Sequence, residues 1–267
     1  MRRTWRGLRL TAHVVEGALV TLCVYPFIAT ATRGKLRQRW SRRLLRCLGV
    51  ELQAQGAAVP PGSLIVANHV SWLDVFVINA LVPSAFVAKA EVRRWPLIGW
   101  LAARNDTVFL QRGNRGHAGV VNREIGSLLG GERNVTVFPE GTTSDGTQVL
   151  HFHAALLQPA ITSGRIVQPL ALSYRTPAGT RCHAPVYDGE VTLGQSLARI
   201  LAAPRIIART DIVTPVPDAT GRHRRELAAQ LRDAIVARIV PQGEPKAGAA
   251  NPPEETMASR QECAQVA

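Results

Sequence analysis

A chain of 267 residues with 46% apolar residues can bury a sizeable core, and its length allows one large domain or two small ones. Its formal charge of +13 requires an anionic partner: nucleic acid, anionic lipid or an acidic carrier protein. Aromatic residues make up only 5% and no basic-aromatic motif occurs, which makes nucleic acid the weakest of the three.

The first element is an apolar stretch over about 10–30, preceded by Arg2, Arg3, Arg6 and Arg9 and interrupted by His13 and Glu16. Three readings fit it: a single span, an interfacial helix, and a cleaved signal peptide with Ala29-Thr30-Ala31 as its cleavage site. Arg33, Lys35, Arg37, Arg39, Arg42, Arg43 and Arg46 follow with no acidic residue among them. A juxtamembrane block of this kind is drawn to anionic headgroups by roughly 1 kcal/mol per charge, whereas on a soluble protein it is a solvated helix face. The block opposes export and holds the segment on the cytoplasmic side, so residues 1–43 are expected to be an uncleaved membrane anchor with its basic flank.

Beyond it, short apolar runs alternate with helical stretches, the pattern of βαβ organisation. Strands are expected near 63–68, 84–88, 106–110, 134–138 and 166–173, with helices near 72–82, 94–104, 114–129 and 152–162. Leu227, Leu231, Ile235 and Ile239 recur every four residues before Pro241 and predict a late amphipathic helix. Residues 44–240 therefore read as a single α/β domain with a mixed sheet flanked by helices. From 241 to 267 Pro, Gly, Ala, Glu and Gln dominate, and a disordered tail is expected.

Two loops carry the chemistry. Asn68-His69-Val70-Ser71-Trp72-Leu73-Asp74 follows the apolar run Leu64-Ile65-Val66-Ala67, and Phe138-Pro139-Glu140-Gly141-Thr142-Thr143-Ser144 closes the run Val135-Thr136-Val137. Open α/β sheets build their sites where strands end, so the two loops are expected to share one site. His69 and Asp74 lie five residues apart, too far round a helix for a common face, which puts His69 in the turn and Asp74 in the first helical turn. There the carboxylate can fix the tautomer of a histidine base. Ser71 or Asp74 as an ordinary helix cap beside a hydrogen-bonded histidine is the competing reading.

Taken together, four ordered blocks resemble the glycerolipid acyltransferase family, which contains the 1-acylglycerol-3-phosphate acyltransferases. They are His69 to Asp74; Val108-Phe109-Leu110-Gln111-Arg112; Phe138-Pro139-Glu140-Gly141-Thr142; and the proline-bearing strand Ile166-Val167-Gln168-Pro169-Leu170. The resemblance spans about 44–172 and includes residues 89–100 and Phe152-His153-Ala154-Ala155-Leu156. Two positions depart from the pattern: Asp106 where glycine is usual, and Gln168 where an apolar residue or proline is usual.

The resemblance implies transfer of a fatty acyl group from acyl-CoA or acyl carrier protein to the free hydroxyl of a lysophospholipid, 1-acyl-sn-glycerol-3-phosphate above all. A lyso-ornithine lipid acceptor is the alternative. His69 would be the general base and Asp74 its partner. Arg112, Glu140, Gly141 and Thr142 would bind substrate: Arg112 as a phosphate clamp, Glu140 on the glycerol hydroxyl or on Arg112, and the amides of Gly141 and Thr142 on the oxyanion. With no G-x-S-x-G elbow and no cysteine in the His69 segment, direct transfer in a ternary complex is expected. Cys23, Cys47, Cys182 and Cys263 show no paired spacing, and the histidines show no zinc pattern, so neither metal nor cofactor is expected. A noncatalytic basic protein docked on membrane or nucleic acid through residues 33–46 is the reading from a different class.

Overall fold

Residues 2–111 and 115–239 are described by the computed structural model; Arg112 and the tail over 241–267 lie outside the described residues. Seven strands among them form one sheet: β1 (Val50–Gln55), β2 (Leu64–Ala67), β3 (Ser84–Lys89), β4 (Val108–Leu110), β5 (Asn134–Val137), β6 (Val167–Arg175) and β7 (Ile206–Ile212). Their order is β1-β7-β6-β2-β5-β3-β4. Every pairing is parallel except that of β6 with β7. All four residues of β2 are buried, as a continuous apolar run in a parallel sheet requires.

Among the described residues, eight α-helices flank the sheet: α1 (Arg2–Cys23), α2 (Thr30–Leu48), α3 (Asp74–Leu81), α4 (Ile98–Arg104), α5 (Arg115–Gly130), α6 (Gln158–Ser163), α7 (Leu193–Ala202) and α8 (Arg224–Ile239). The pleat of β2 divides the core. Leu64 and Val66 join Ile125, Leu157, Leu231 and Ile235 from α5, α8 and the turn before α6. Ile65 and Ala67 join Leu45, Leu48, Ile78 and Ile200 from α2, α3 and α7 on the other face. Each such Leu or Ile contributes roughly 1.5–3 kcal/mol by leaving water. The periodicity of Leu227, Leu231, Ile235 and Ile239 is thus the buried stripe of α8.

Five expected strands are present at the expected places. The helix expected over 152–162 is a 3-10 turn at Ala154–Leu157 followed by α6, in which Pro159 sits where no backbone donor is needed. Two departures from the family pattern have structural reasons. Asp106 takes φ +61, the left-handed conformation that glycine adopts most easily, and its carboxylate pairs with Arg37 of α2 and with Arg133. Asp106 precedes β4 and Arg133 precedes β5, so both stand at the N-terminal edge of the sheet, opposite to the edge where β2 delivers His69. Gln168 is buried in β6, and its amide donates to the carbonyls of Pro169 and Val213 beside the point where the β6–β7 ladder ends.

The residues that interrupt the N-terminal apolar run are its contacts with the domain. His13 stacks on Trp40 of α2, with ring centroids 4.7 Å apart, and its backbone carbonyl accepts from the indole N–H at 3.1 Å. Glu16 pairs with Arg43 at 3.1 Å. At the start of α1, Arg6 donates to the carbonyls of Ala203 (2.6 Å) and Pro204 (2.9 Å) just past the end of α7. Gly17 lets the helices meet, because a Cβ there would lie 2.4 Å from Trp40 Nε1. Gly17→Val should therefore cost roughly 1–3 kcal/mol, seen as a lower melting temperature and faster proteolytic release of α1. Gly7→Ala, which meets nothing within 4 Å, should leave both unchanged or slightly improved.

Candidate active site

At the end of β2, Asn68 clamps its loop to β6: its side-chain amide donates to Leu172 O at 3.0 Å and its carbonyl accepts from Leu172 N at 2.8 Å. The chain then turns around the carboxylate of Asp74, the first residue of α3, which is wholly buried. Oδ2 of Asp74 accepts from the backbone N–H groups of Val70 (2.8 Å) and Ser71 (2.9 Å) and lies 2.8 Å from Nδ1 of His69. The carboxylate therefore orders the turn and holds the histidine at once; it does not act as an ordinary helix cap, since α3 starts at Asp74 without a side-chain cap. A carboxylate at that distance requires the proton on Nδ1, which leaves Nε2 as the basic nitrogen. The ring is one-fifth exposed and stacks on Phe138 at 4.0 Å and 12°, which fixes its plane.

Phe138 belongs to the second loop, and the two loops interlock as expected. Glu140 is buried; Oε1 accepts the His69 N–H at 2.7 Å and Oε2 the Leu150 N–H at 2.7 Å. Burial pushes its pKa above the usual carboxylate range, with the two amides pulling the other way. Ser144 N donates to His69 O at 2.9 Å, Tyr187 N donates to Val70 O at 3.1 Å, and the Thr143 hydroxyl donates to Tyr187 O. From α8, the Arg232 guanidinium holds the carbonyls of Val149 (2.7 Å) and Leu150 (2.9 Å). Gly141, at φ +69, donates its amide to Phe138 O at 3.0 Å and so closes the turn. Thr142 beside it is exposed.

The structure thus brings His69, Asp74, Glu140, Gly141 and Thr142 together, while Arg112 falls outside the described residues. Tyr174 is the site residue that sequence reading passes over: its hydroxyl donates to Oδ1 of Asp74 at 2.6 Å. The signal lies in β6, where the alternation through Leu170, Leu172 and Tyr174 continues the inward face past the fourth block. Chemically, a histidine fixed at Nδ1 by a buried carboxylate and basic at Nε2 is equipped to take a proton from a hydroxyl.

A mixed α/β domain with this pair at its central strand fits an acyltransferase, and the family model described as Acyltransferase matches residues 51–173. The chain is 39% identical over 206 residues to the lyso-ornithine lipid O-acyltransferase of Pseudomonas aeruginosa, covering 77% of this chain and 79% of that one. It is 37% identical over 190 residues to the 1-acyl-sn-glycerol-3-phosphate acyltransferase of Neisseria meningitidis, covering 71% and 74%. The crystal structure of the 1-acyl-sn-glycerophosphate acyltransferase of Thermotoga maritima shares the fold, with a TM-score of 0.65 over 90% of this chain and 96% of that one at 24% identity. This chain belongs to the glycerolipid acyltransferase family, the lysolipid acyltransferases.

The geometry makes Glu140 a scaffold. Glu140→Ala would leave two inward-facing amides without acceptors, a loss of roughly 2–4 kcal/mol that urea denaturation should register. A fully stable Glu140→Ala protein whose only defect is a raised KM for the acceptor would instead make this carboxylate a substrate ligand.

Proposed function

We propose that this protein transfers a fatty acyl group from acyl-CoA or acyl carrier protein to the free hydroxyl of a lysophospholipid, with 1-acyl-sn-glycerol-3-phosphate as acceptor and phosphatidic acid as product. The observation that carries this reading is the hydrogen bond of 2.8 Å between His69 Nδ1 and a fully buried Asp74. Nε2 of His69 takes the proton of the acceptor hydroxyl as its oxygen attacks the thioester carbonyl. The tetrahedral intermediate collapses, the C–S bond breaks, and the imidazolium returns the proton to the leaving thiolate. Asp74 orients the ring and stabilises the imidazolium between these steps.

The Gly141 amide is engaged in its turn, so the Thr142 amide takes the oxyanion role. Arg112 clamps the acceptor phosphate, a role that rests on its place in the second block. The second reading, a lyso-ornithine lipid acceptor, is favoured by the relative at 39% identity. Turnover with each purified lysolipid and an acyl donor decides between them. His69→Ala should reduce transfer by roughly 100-fold or more with the fold retained. Near wild-type turnover in that variant would overturn the mechanism.

The acceptor resides in a bilayer, and α1 supplies the surface that meets it. Its length and composition would allow a span, but one face is engaged by α2 and α7. Trp5, Leu8, Val15, Leu19 and Leu22, all more than half exposed, recur at helical spacing on the opposite face. We assign α1 to the interface, lying on the cytoplasmic leaflet, with Lys35 and Arg39 adding electrostatic attraction to anionic lipid. Full-length protein should stay on anionic vesicles through a high-salt wash, since buried apolar area is not screened. Replacing Leu8, Val15 and Leu19 with Glu should make binding salt-labile, because exposed charges are screened beyond roughly 10 Å at 0.1 M. Co-sedimentation reads both, and release of the unmodified chain by salt alone would place α1 outside the membrane.

A further inference from the structure

A carboxylate removed from water persists as an anion only when its oxygens are satisfied. Oδ2 of Asp74 has three partners in the loop it organises: His69, Val70 and Ser71. Oδ1 depends on a residue a hundred positions away, the hydroxyl of Tyr174 at 2.6 Å. That distance is the one expected of a hydroxyl donating to a charged oxygen, and the phenol is buried with 4% of its surface exposed. Its placement is built in: Asn68 locks the His69 loop to Leu172 through two hydrogen bonds, and the pleat of β6 sets Tyr174 on the same face as Leu172. The Tyr174 carbonyl accepts from Cys182 N at 2.9 Å, a further backbone tie on the residue that carries the phenol.

We propose that Tyr174 is a positioning residue for acyl transfer, which through its hydroxyl on Oδ1 of Asp74 sets how strongly that carboxylate pulls on the His69 imidazolium. The inference rests on the reading of His69 as base. A phenol donating to Oδ1 spreads the charge of the carboxylate. The pair then supports the imidazolium during transfer and still lets His69 return to its neutral, basic form. Burial and the charge of Asp74 both drive the phenol well above its ordinary range, so the proton stays on Tyr174 and the residue is a constant donor. Glu140, on the loop after β5, also interacts electrostatically with both members of the pair.

The signs follow. Removing the hydroxyl leaves Oδ1 in a dry pocket with no donor, concentrates charge on the carboxylate and holds the imidazolium more firmly. In Tyr174→Phe the acid limb of the kcat/KM profile should move to higher pH by about half a unit or more. At the plateau, kcat should fall by roughly 3–10-fold, with the KM values for lysolipid and acyl donor little changed. Fluorotyrosine placed at position 174 keeps the shape but donates more strongly, and should move the limb to lower pH. In an Asp74→Asn background, Tyr174→Phe should move nothing further, because the residue acts only through that carboxylate.

An acid limb that stays in place in folded Tyr174→Phe, or that moves the same way for both replacements, overturns the proposal. Should Tyr174→Phe not fold, the fluorotyrosine protein alone decides: a limb at the wild-type position overturns the proposal, and a limb at lower pH upholds it. His69→Ala serves as the reference. If it retains turnover, the base assignment itself has failed. If it is inactive while neither Tyr174 replacement moves the limb, only the role of Tyr174 has failed.

Discussion

The site depends on an anion that has been taken out of water. Desolvating a carboxylate costs several kcal/mol even after the protein relaxes around it, and Asp74 is wholly buried. The cost is offset only when donors from the loop after β2 and from β6 converge on it, so the fold that accommodates Asp74 is also the fold that orients His69, the proposed base. Glu140 repeats the device one strand away, since its two oxygens tie the His69 backbone to Leu150. Together the two carboxylates make the loops after β2 and β5 a single unit, which Arg232 of α8 secures from behind. A base held by buried charges loses little energy to reorganisation when the transition state forms, the condition under which electrostatic catalysis works best.

What could be read from the sequence follows the same physics. Strands buried on both faces leave an unbroken apolar run, and the loops that follow them are where the chemistry was sought. β2 and β5 were therefore legible, and so were His69, Asp74 and Glu140 as candidates. β1 and β7 were not. Three of the six residues of β1 are exposed, and β7 mixes Arg209, Thr210 and Asp211 into its run, so neither has a strong period. The basic block was visible as charge but not as a helix. In α2, Arg37 reaches Asp106 and Arg42 reaches the carbonyl of Ala80, contacts that no spacing rule announces. Tyr174 escaped because one buried aromatic on a strand reads as core, and its partner lies a hundred residues earlier.

The two departures from the family pattern show how position in a sheet separates architecture from chemistry. Asp106 stands where glycine is usual, and its carboxylate is engaged with Arg37 and Arg133 at the N-terminal edge. The ion pairs tie α2 to the segments that lead into β4 and β5. Gln168 likewise serves backbone carbonyls where the ladder between β6 and β7 gives out. Both changes substitute one structural solution for another and leave the C-terminal edge, where His69 and Glu140 stand, untouched.

Acceptor choice must then come from groups outside the proton-transfer unit. Both lysolipids offer the same reacting group, a free hydroxyl, and in the proposed mechanism both meet the same base, His69. Neither asks anything different of Asp74, Tyr174 or Glu140, whose hydrogen bonds are already filled by protein. Discrimination requires partners that meet the head group itself, phosphate in one case and an amino acid in the other. A buried, saturated network is unsuited to that task, because any change in it is felt first as lost stability or a shifted base. Thr142, exposed on the loop after β5, can vary without touching that network, so the proposed His69–Asp74 pair is compatible with acceptors of different charge.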